Sequence, residues 1–341
     1  MGVIWQTSWD YLASADVASL PMVVSATSAS IQAGAPVGSY LYLPDRAIKL
    51  VFSDTGLASL WIHVRFKATY DANYLFLSLN DIVTGYRQIH FFVDNTYHLR
   101  AYRASANRTD HTNVTEGTLL ATGAFTFAEG SWYSLAIEVT IDDAAGIVKT
   151  WVNEQPDITV TGADTKYTAN ANVGSILMTE QGGIDDVVIA TAVSPNGSFP
   201  EELRVDAMRP DANGSDRDWD LSTGTDEYAL LDEATPNTTD YIESPAVGER
   251  CSVSVQALTN TGGTMYAVSQ TMYASKSNAG PCGITPYVKI SGTRYYGTEF
   301  FPSFGSWRFF QYIWDQDPSA GPGAWTESVF NSAEFGVEHT T

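Results

Sequence analysis

Basic residues are few in this sequence. Lys and Arg number 18 against 39 Asp and Glu, a formal net charge of −21 with a sequence pI near 4.4. A phosphate backbone or an anionic bilayer surface is therefore repelled, and nucleic acid is not an expected partner. Cysteine is as sparse: Cys251 and Cys282 are the only two, too few for a disulfide scaffold and without the spacing of a zinc site. A single bridge between them and a pair of free thiols both remain open. No apolar run approaches the ~20 residues that a membrane-spanning helix needs, so insertion is not expected. The opening Met1-Gly2-Val3-Ile4-Trp5-Gln6 has no basic segment leading into an apolar stretch, so export by a cleaved signal is not expected either. Helical periodicity is missing as well. No long window keeps an i, i+3, i+4, i+7 apolar stripe, and only residues 324–330 read as a turn or two of helix. Walker loops, dinucleotide-binding glycine patterns and nucleophile elbows are absent. The five histidines show no H-x-H or H-x-x-x-H grouping that would hold a transition metal.

What is present points to strands. The chain is 44% hydrophobic and 12% aromatic but only 17% charged over 341 residues, the balance of an all-β protein large enough for two domains. Apolar and polar residues alternate at strand length. In Leu60-Trp61-Ile62-His63-Val64-Arg65-Phe66 the residues Leu60, Ile62, Val64 and Phe66 share one face, which goes to a core. The pattern recurs at 74–79, 88–93, 98–102, 133–141 and 146–152, separated by short polar or glycine-bearing turns, the cadence of a meandering antiparallel sandwich. We place a domain boundary in the Pro/Gly-bracketed segment 194–200, giving domains 1–197 and 198–341. A strand is expected at 203–208, then a long acidic surface excursion over about 209–240. Strands at 251–258, 265–274, 284–290 and 307–314 would build the second core. The expected fold is two β-sandwich or jelly-roll domains in tandem, with at most short helical turns.

Two resemblances add to this. Gly130-Ser131-Trp132-Tyr133-Ser134-Leu135-Ala136-Ile137-Glu138-Val139, then Gly146-Ile147-Val148-Lys149-Thr150-Trp151-Val152-Asn153-Glu154, resembles the core hairpin of laminin-G/concanavalin-like jelly rolls. Gly183-Ile184-Asp185-Asp186-Val187 looks like the closing strand of that fold. The second half resembles bacteriophage virion structural proteins, through Arg204-Val205-Asp206-Ala207-Met208-Arg209-Pro210-Asp211 with Trp219, Tyr228 and Tyr241, and through the tail from Trp314-Asp315-Gln316-Asp317-Pro318 by Trp325 to Phe335-Gly336-Val337-Glu338. In that tail Pro318 and the glycines would make a turn, Trp325 would plug a core and 335–338 would return to the sheet. The resemblance implies a component of the virion exterior, as capsid decoration, fibre or tail-associated protein. Its partners would be other virion proteins and copies of itself, with a trimer as the first expectation.

Candidate sites follow from side-chain chemistry. Tyr86, Tyr97, Tyr102 and the pair Tyr295-Tyr296 are candidate glycan-stacking residues, since a ring face fits the apolar C–H patch of a pyranose. A carbohydrate-binding adhesin for the host surface is accordingly the rival reading. The jelly-roll resemblance implies calcium as the one candidate cofactor, with Asp185 and Asp186 as candidate ligands; pairing with an arginine such as Arg65 competes with that role. No compact E-x-[DI]-x-x-E strand of concanavalin-like glycanases is found, so a non-enzymatic chain is expected, with a glycan-degrading enzyme as the third reading.

Overall fold

The computed structural model describes residues 3–7, 23–26, 30–33, 39–42, 46–52, 55–68, 74–107, 117–180, 183–191, 203–233, 236–258, 262–321 and 323–341. Strands carry both halves of the chain, and the only α-helix among the described residues, Glu327–Ser332, is six residues long. The all-β expectation holds. Two compact units divide the chain, with the changeover between Val205 and Asp206. That point lies later than the expected 194–200 segment, which is outside the described residues.

Unit 1 is a two-layer antiparallel sandwich. In chain order its strands are β1 (Val3–Thr7), β2 (Val23–Ala26), β3 (Ser30–Ala33), β4 (Ser39–Tyr42), β5 (Arg46–Val51), β6 (Ser59–Lys67), β7 (Tyr74–Asn80) and β8 (Arg87–Val93). They continue with β9 (His98–Arg103), β10 (Thr118–Thr126), β11 (Trp132–Thr140), β12 (Gly146–Val152), β13 (Gln155–Ala163), β14 (Ser175–Glu180) and β15 (Gly183–Ala190). One sheet runs β13-β12-β11-β6-β15-β4-β3 with β1 also on β15; the other runs β10-β9-β8-β7-β14-β5-β2. Leu60, Ile62, Val64 and Phe66 of β6 line the core beside Leu135, Ile137 and Val139 of β11, and Leu77, Leu79, Ile89, Phe91, Ile176 and Met178 line it from the second sheet, all sealed from solvent. Each such side chain contributes about 1.5–3 kcal/mol of burial.

The other side of β6 is covered too, which period-2 reasoning does not foresee. Trp61 stacks on Trp151 at 5.8 Å between ring centroids, and His63 is 2% exposed. The His63 Nδ1 lies 3.1 Å from the carbonyl oxygen of Asp186, and Nε2 lies 2.8 Å from the Ser134 hydroxyl. A carbonyl can only accept, so Nδ1 carries the proton and Nε2 is an acceptor, for Ser134 and for the Leu203 amide at 3.3 Å. Beside it the Asp186 carboxylate accepts the Val205 amide at 2.9 Å and pairs with Arg65 at 3.4 Å. Residues 203–209 therefore form no strand, contrary to expectation. Two of their N–H groups are given to side chains of unit 1, where a ladder would have needed them.

Unit 2 comprises β16 (Pro210–Arg217), β17 (Asp220–Leu221), β18 (Ile242–Glu243), β19 (Arg250–Val255), β20 (Val268–Ala274), β21 (Ile284–Ile290), β22 (Thr293–Tyr296), β23 (Arg308–Trp314), the helix α1 (Glu327–Ser332) and β24 (Glu334–His339). A five-stranded sheet has the order β16-β19-β24-β21-β22, β17 pairs with β18, and β20 and β23 form a ribbon. The ribbon packs on one face of the sheet: Val268 and Trp314 meet Val288, Ile290 and Phe335, with Trp325 and Phe330 closing the cluster. Trp325 does plug this core, donating its indole N–H to the Trp314 carbonyl at 2.9 Å. The Asp317 amide bonds Gly323 across the preceding turn at 3.0 Å, and the Thr326 hydroxyl caps α1 at the Val329 amide. The expected acidic excursion over 209–240 is corrected: it contains β16, laddered to β19. Its residues lack strand-like alternation because β16 is an edge strand whose outward side chains are solvated. Cys251 and Cys282 are both free thiols, and burial pushes the Cys251 thiol up to about 12.

Two outcomes follow. Burial holds the His63 imidazole down at about 4, with the Asp186 carbonyl opposing and the Arg65 charge adding to the depression. The unfolded chain takes up that proton from pH 6.5 downward while the folded chain resists it. Stability is therefore complete above pH 6.5 and falls by about 3 kcal/mol by pH 4. Urea titrations of the wild type and His63→Gln at pH 7 and 4.5 measure this, the variant lacking that share of the loss. Trp325→Ala should destabilise unit 2 by about 3–5 kcal/mol in the same assay.

Candidate functional site

The core face of the five-stranded sheet is apolar, and its opposite face is an organised polar surface. Alternation places Arg250 and Ser252 of β19, Glu334 and Glu338 of β24, Tyr287 and Lys289 of β21, and Arg294 and Tyr296 of β22 on that opposite face, and an irregularity in β16 between Asn213 and Arg217 brings Ser215 there beside Asp216. Asp216 is 9% exposed. Its carboxylate receives a two-point contact from Arg294, the Tyr287 hydroxyl at 2.8 Å and Lys289 at 3.5 Å. Tyr287 reaches Asp216 by lying across β24 at Gly336. A Cβ at Gly336 would come within 2.3 Å of the phenol ring, so only glycine leaves the path open. The same hydroxyl sits 3.0 Å from the Cys251 carbonyl.

The electrostatics follow from these contacts. The Arg294 guanidinium beside it, with the Tyr287 hydroxyl, outweighs burial and holds the Asp216 carboxyl down at about 2. Burial, with Asp216 next to it, drives the Tyr287 phenol well above its ordinary value, so it stays a donor. Glu334 is pushed up by burial, but bonds from the Ser215 amide at 2.9 Å, the Ser215 and Ser252 hydroxyls and the Lys289 charge pull it below its ordinary value. Arg250 bonds Glu338 at 2.7 Å and also interacts with Tyr296. Both Asp216 and Glu334 are thus acceptors at neutral pH.

Set in this frame is the Tyr296 ring, 47% exposed and 5.7 Å from the Tyr287 ring. Such a surface can offer an apolar ring face together with donors and acceptors already held in place. Its partner in the sequence pair, Tyr295, points the other way and packs on the apolar core, because adjacent residues of a strand face opposite sides. The remaining candidates are scattered. Tyr86 closes a turn whose Asp81 amide bonds the Tyr86 carbonyl, Tyr97 sits in the β8–β9 turn with φ of +62°, and both are half-buried. Tyr102, expected to be exposed, is 7% exposed and lies against His90 and Phe92. Asp185 and Asp186 are buried in β15, with Asp186 engaged by Arg65 and Val205 as described. No group of three or more His, Cys, Asp or Glu among the described residues is arranged to hold a metal.

Sequence reasoning missed Asp216, Tyr287, Arg294 and Glu334, which come from four strands and share no local motif. It also missed a second aromatic group, where Tyr273 stacks on Trp307 at 5.5 Å and contacts Phe309 at 4.5 Å. Phe301 and Phe304, in the loop before Trp307, are 65% and 60% exposed. The Tyr296 face joins an exposed ring to charged groups fixed by their neighbours, which is why it is taken as the candidate site.

No family model and no curated protein matches this sequence. Solved structures do match. Domain 4 of an extracellular arabinanase from Geobacillus stearothermophilus, solved with arabinotriose, is 14% identical at a TM-score of 0.35, covering 57% of this chain and 96% of that one. The carbohydrate esterase of the Shiga toxin-encoding bacteriophage phi24B is 14% identical at 0.33, covering 49% and 89%. An alginate lyase from a Chlorella virus is 7% identical at 0.38, covering 56% and 100%. These likenesses bear on fold alone. The expectation of a non-enzymatic chain does not stand: the matches named above include a lyase and an esterase. The absence of one glycanase strand motif had excluded a single catalytic geometry, whereas acid and base groups can also converge from separate strands.

Asp216→Asn should cost unit 2 about 2 kcal/mol at pH 7, since Arg294 and Lys289 lose their counter-charge. The folded carboxyl titrates at about 2 and the ordinary one at 3.8, so the wild type keeps this advantage above pH 3.8 and loses it toward pH 2. Denaturant titrations of both proteins along that range check the convergence.

Proposed function

We propose that this chain binds carbohydrate through the polar face of the unit 2 sheet, with Tyr296 as the stacking residue. The observation that carries the reading is a half-exposed tyrosine ring framed by Arg250, Arg294 and Glu338, whose charged groups are already fixed by neighbours. Groups held in advance spare the ordering cost on binding, so a shallow surface can still be selective. The test is affinity electrophoresis or calorimetry of the full chain against a polysaccharide panel, with the products assayed for chain cleavage or ester loss because catalysis on a glycan stays open. Tyr296→Ala should weaken binding about tenfold, the equivalent of about 1.4 kcal/mol, with the urea midpoint unchanged. Undiminished binding by the variant would remove Tyr296 from the site.

A second reading places the protein on the exterior of a phage virion, packed against copies of itself and other virion proteins. It is supported by the resemblance of residues 204–214 and 314–338 to phage structural proteins, and both readings fit one displayed attachment protein. Sedimentation of the purified chain tests the expected trimer. A monomer at all accessible concentrations would count against self-assembly.

A further inference from the structure

The polar face carries as many carboxylates as cations, and every cation is committed. Arg250 is bonded to Glu338, Arg294 grips Asp216 at two points, and Lys289 lies 3.5 Å from Asp216 and 2.5 Å from the Ser215 hydroxyl that also bonds Glu334. These pairs are partly or largely covered: the side chains of Asp216, Lys289 and Glu338 are 9%, 14% and 15% exposed. Taking a guanidinium from its carboxylate to serve an incoming anion would strand a charge that has lost water as well. Around the face, residues 206–341 hold seven Lys and Arg against eighteen Asp and Glu, so an anionic chain is repelled before contact.

Hydroxyl groups fit the same surface well. Ionised carboxylates are acceptors only, and the Glu338 carboxylate, which gives Oε2 to Arg250, has further acceptor capacity that matches a hydroxyl donor in a short charge-assisted bond. The guanidinium N–H groups not used on Glu338 and Asp216 match ring and hydroxyl oxygens. Resting on the carbohydrate-binding reading above, we propose that the ligand of this face is a neutral glycan, recognised by its hydroxyls and by the C–H face stacked on Tyr296, and that uronic and sialic acid polymers are rejected.

The experiment uses the full chain and two pairs of probes: polygalacturonate and its fully methyl-esterified form, which share a backbone and differ in the charge and one ester methyl per residue, and a neutral mannan against acidic hyaluronan. Calorimetry at 50 and 500 mM salt should show the neutral member of a pair bound at least about tenfold more tightly. The affinity for that member should change less than about twofold with salt, since no counterions are exchanged. Equal or tighter binding of the acidic member, weakening steeply with salt, would overturn the neutral-ligand inference and leave carbohydrate binding standing. Failure of every probe to bind would overturn the carbohydrate reading itself. Neutral binding that survives Tyr296→Ala undiminished would move the ligand off this face.

Discussion

A carboxylate nine-tenths withdrawn from water has to be answered by donors on all sides, and in unit 2 that requirement falls on Asp216. It is met by Arg294 from β22, Tyr287 and Lys289 from β21, and it sits on β16 at the opposite edge of the sheet. The two edges are thereby tied across three intervening strands. That tie explains a chain of local choices. Gly336 is bare because the Tyr287 ring must pass over it. The Tyr287 hydroxyl stays protonated because burial and the adjacent carboxylate forbid its ionisation. The acidic run around Asp216 forms a strand despite its composition, because one of its carboxylates is anchored from within the sheet. A buried ion pair of this kind gives little net stability over an apolar equivalent, but it fixes register strongly, since a slip of one residue would turn Asp216 to the core.

Much of the architecture was legible from local pattern. Strict alternation in 60–66 and 133–141 gives the core of unit 1, and the strands at 251–258, 284–290 and 307–314 emerge as β19, β21 and β23 within a residue or a few at their ends. The Trp325 plug, the turn before it and the last strand also follow from the tail motif. The misreadings share one physical cause, which is that polar side chains replaced backbone or apolar partners. His63 and Asp186 take the amides of Leu203 and Val205, so a stretch with strand-like composition is held without a ladder. At β16 the reverse happens, and a stretch with loop-like composition is held in one.

The candidate site was legible only in part, for a related reason. Tyr296 could be named because exposed tyrosines are the usual stacking residues, but the residue type cannot say which of two adjacent tyrosines faces out. That depends on register, here the pairing of Tyr296 with Tyr287 and of Tyr295 with Val288. Tyr102 illustrates the opposite error, since a ring on the outer side of a strand reads as exposed until other rings, His90 and Phe92, are found against it. Asp216, Arg294, Glu334 and Glu338 are distributed over β16, β22 and β24, and only the strand order assembles them.

The charge balance of the whole chain acquires a local meaning from this assembly. A net charge of −21 reads on its own as a solvated acidic surface that keeps a β-rich protein in solution. On the unit 2 sheet, however, the few cations are placed where they neutralise specific carboxylates, and the excess acid lies elsewhere. The result is a face that is polar yet nearly neutral, surrounded by negative potential. Such a surface repels an anionic ligand at a distance and exerts no pull on a neutral one, so recognition of a neutral ligand is decided at contact, by ring geometry and hydrogen-bond direction. Weak single contacts of that kind gain from repetition, and a displayed protein present in several copies would turn modest affinity per site into firm attachment.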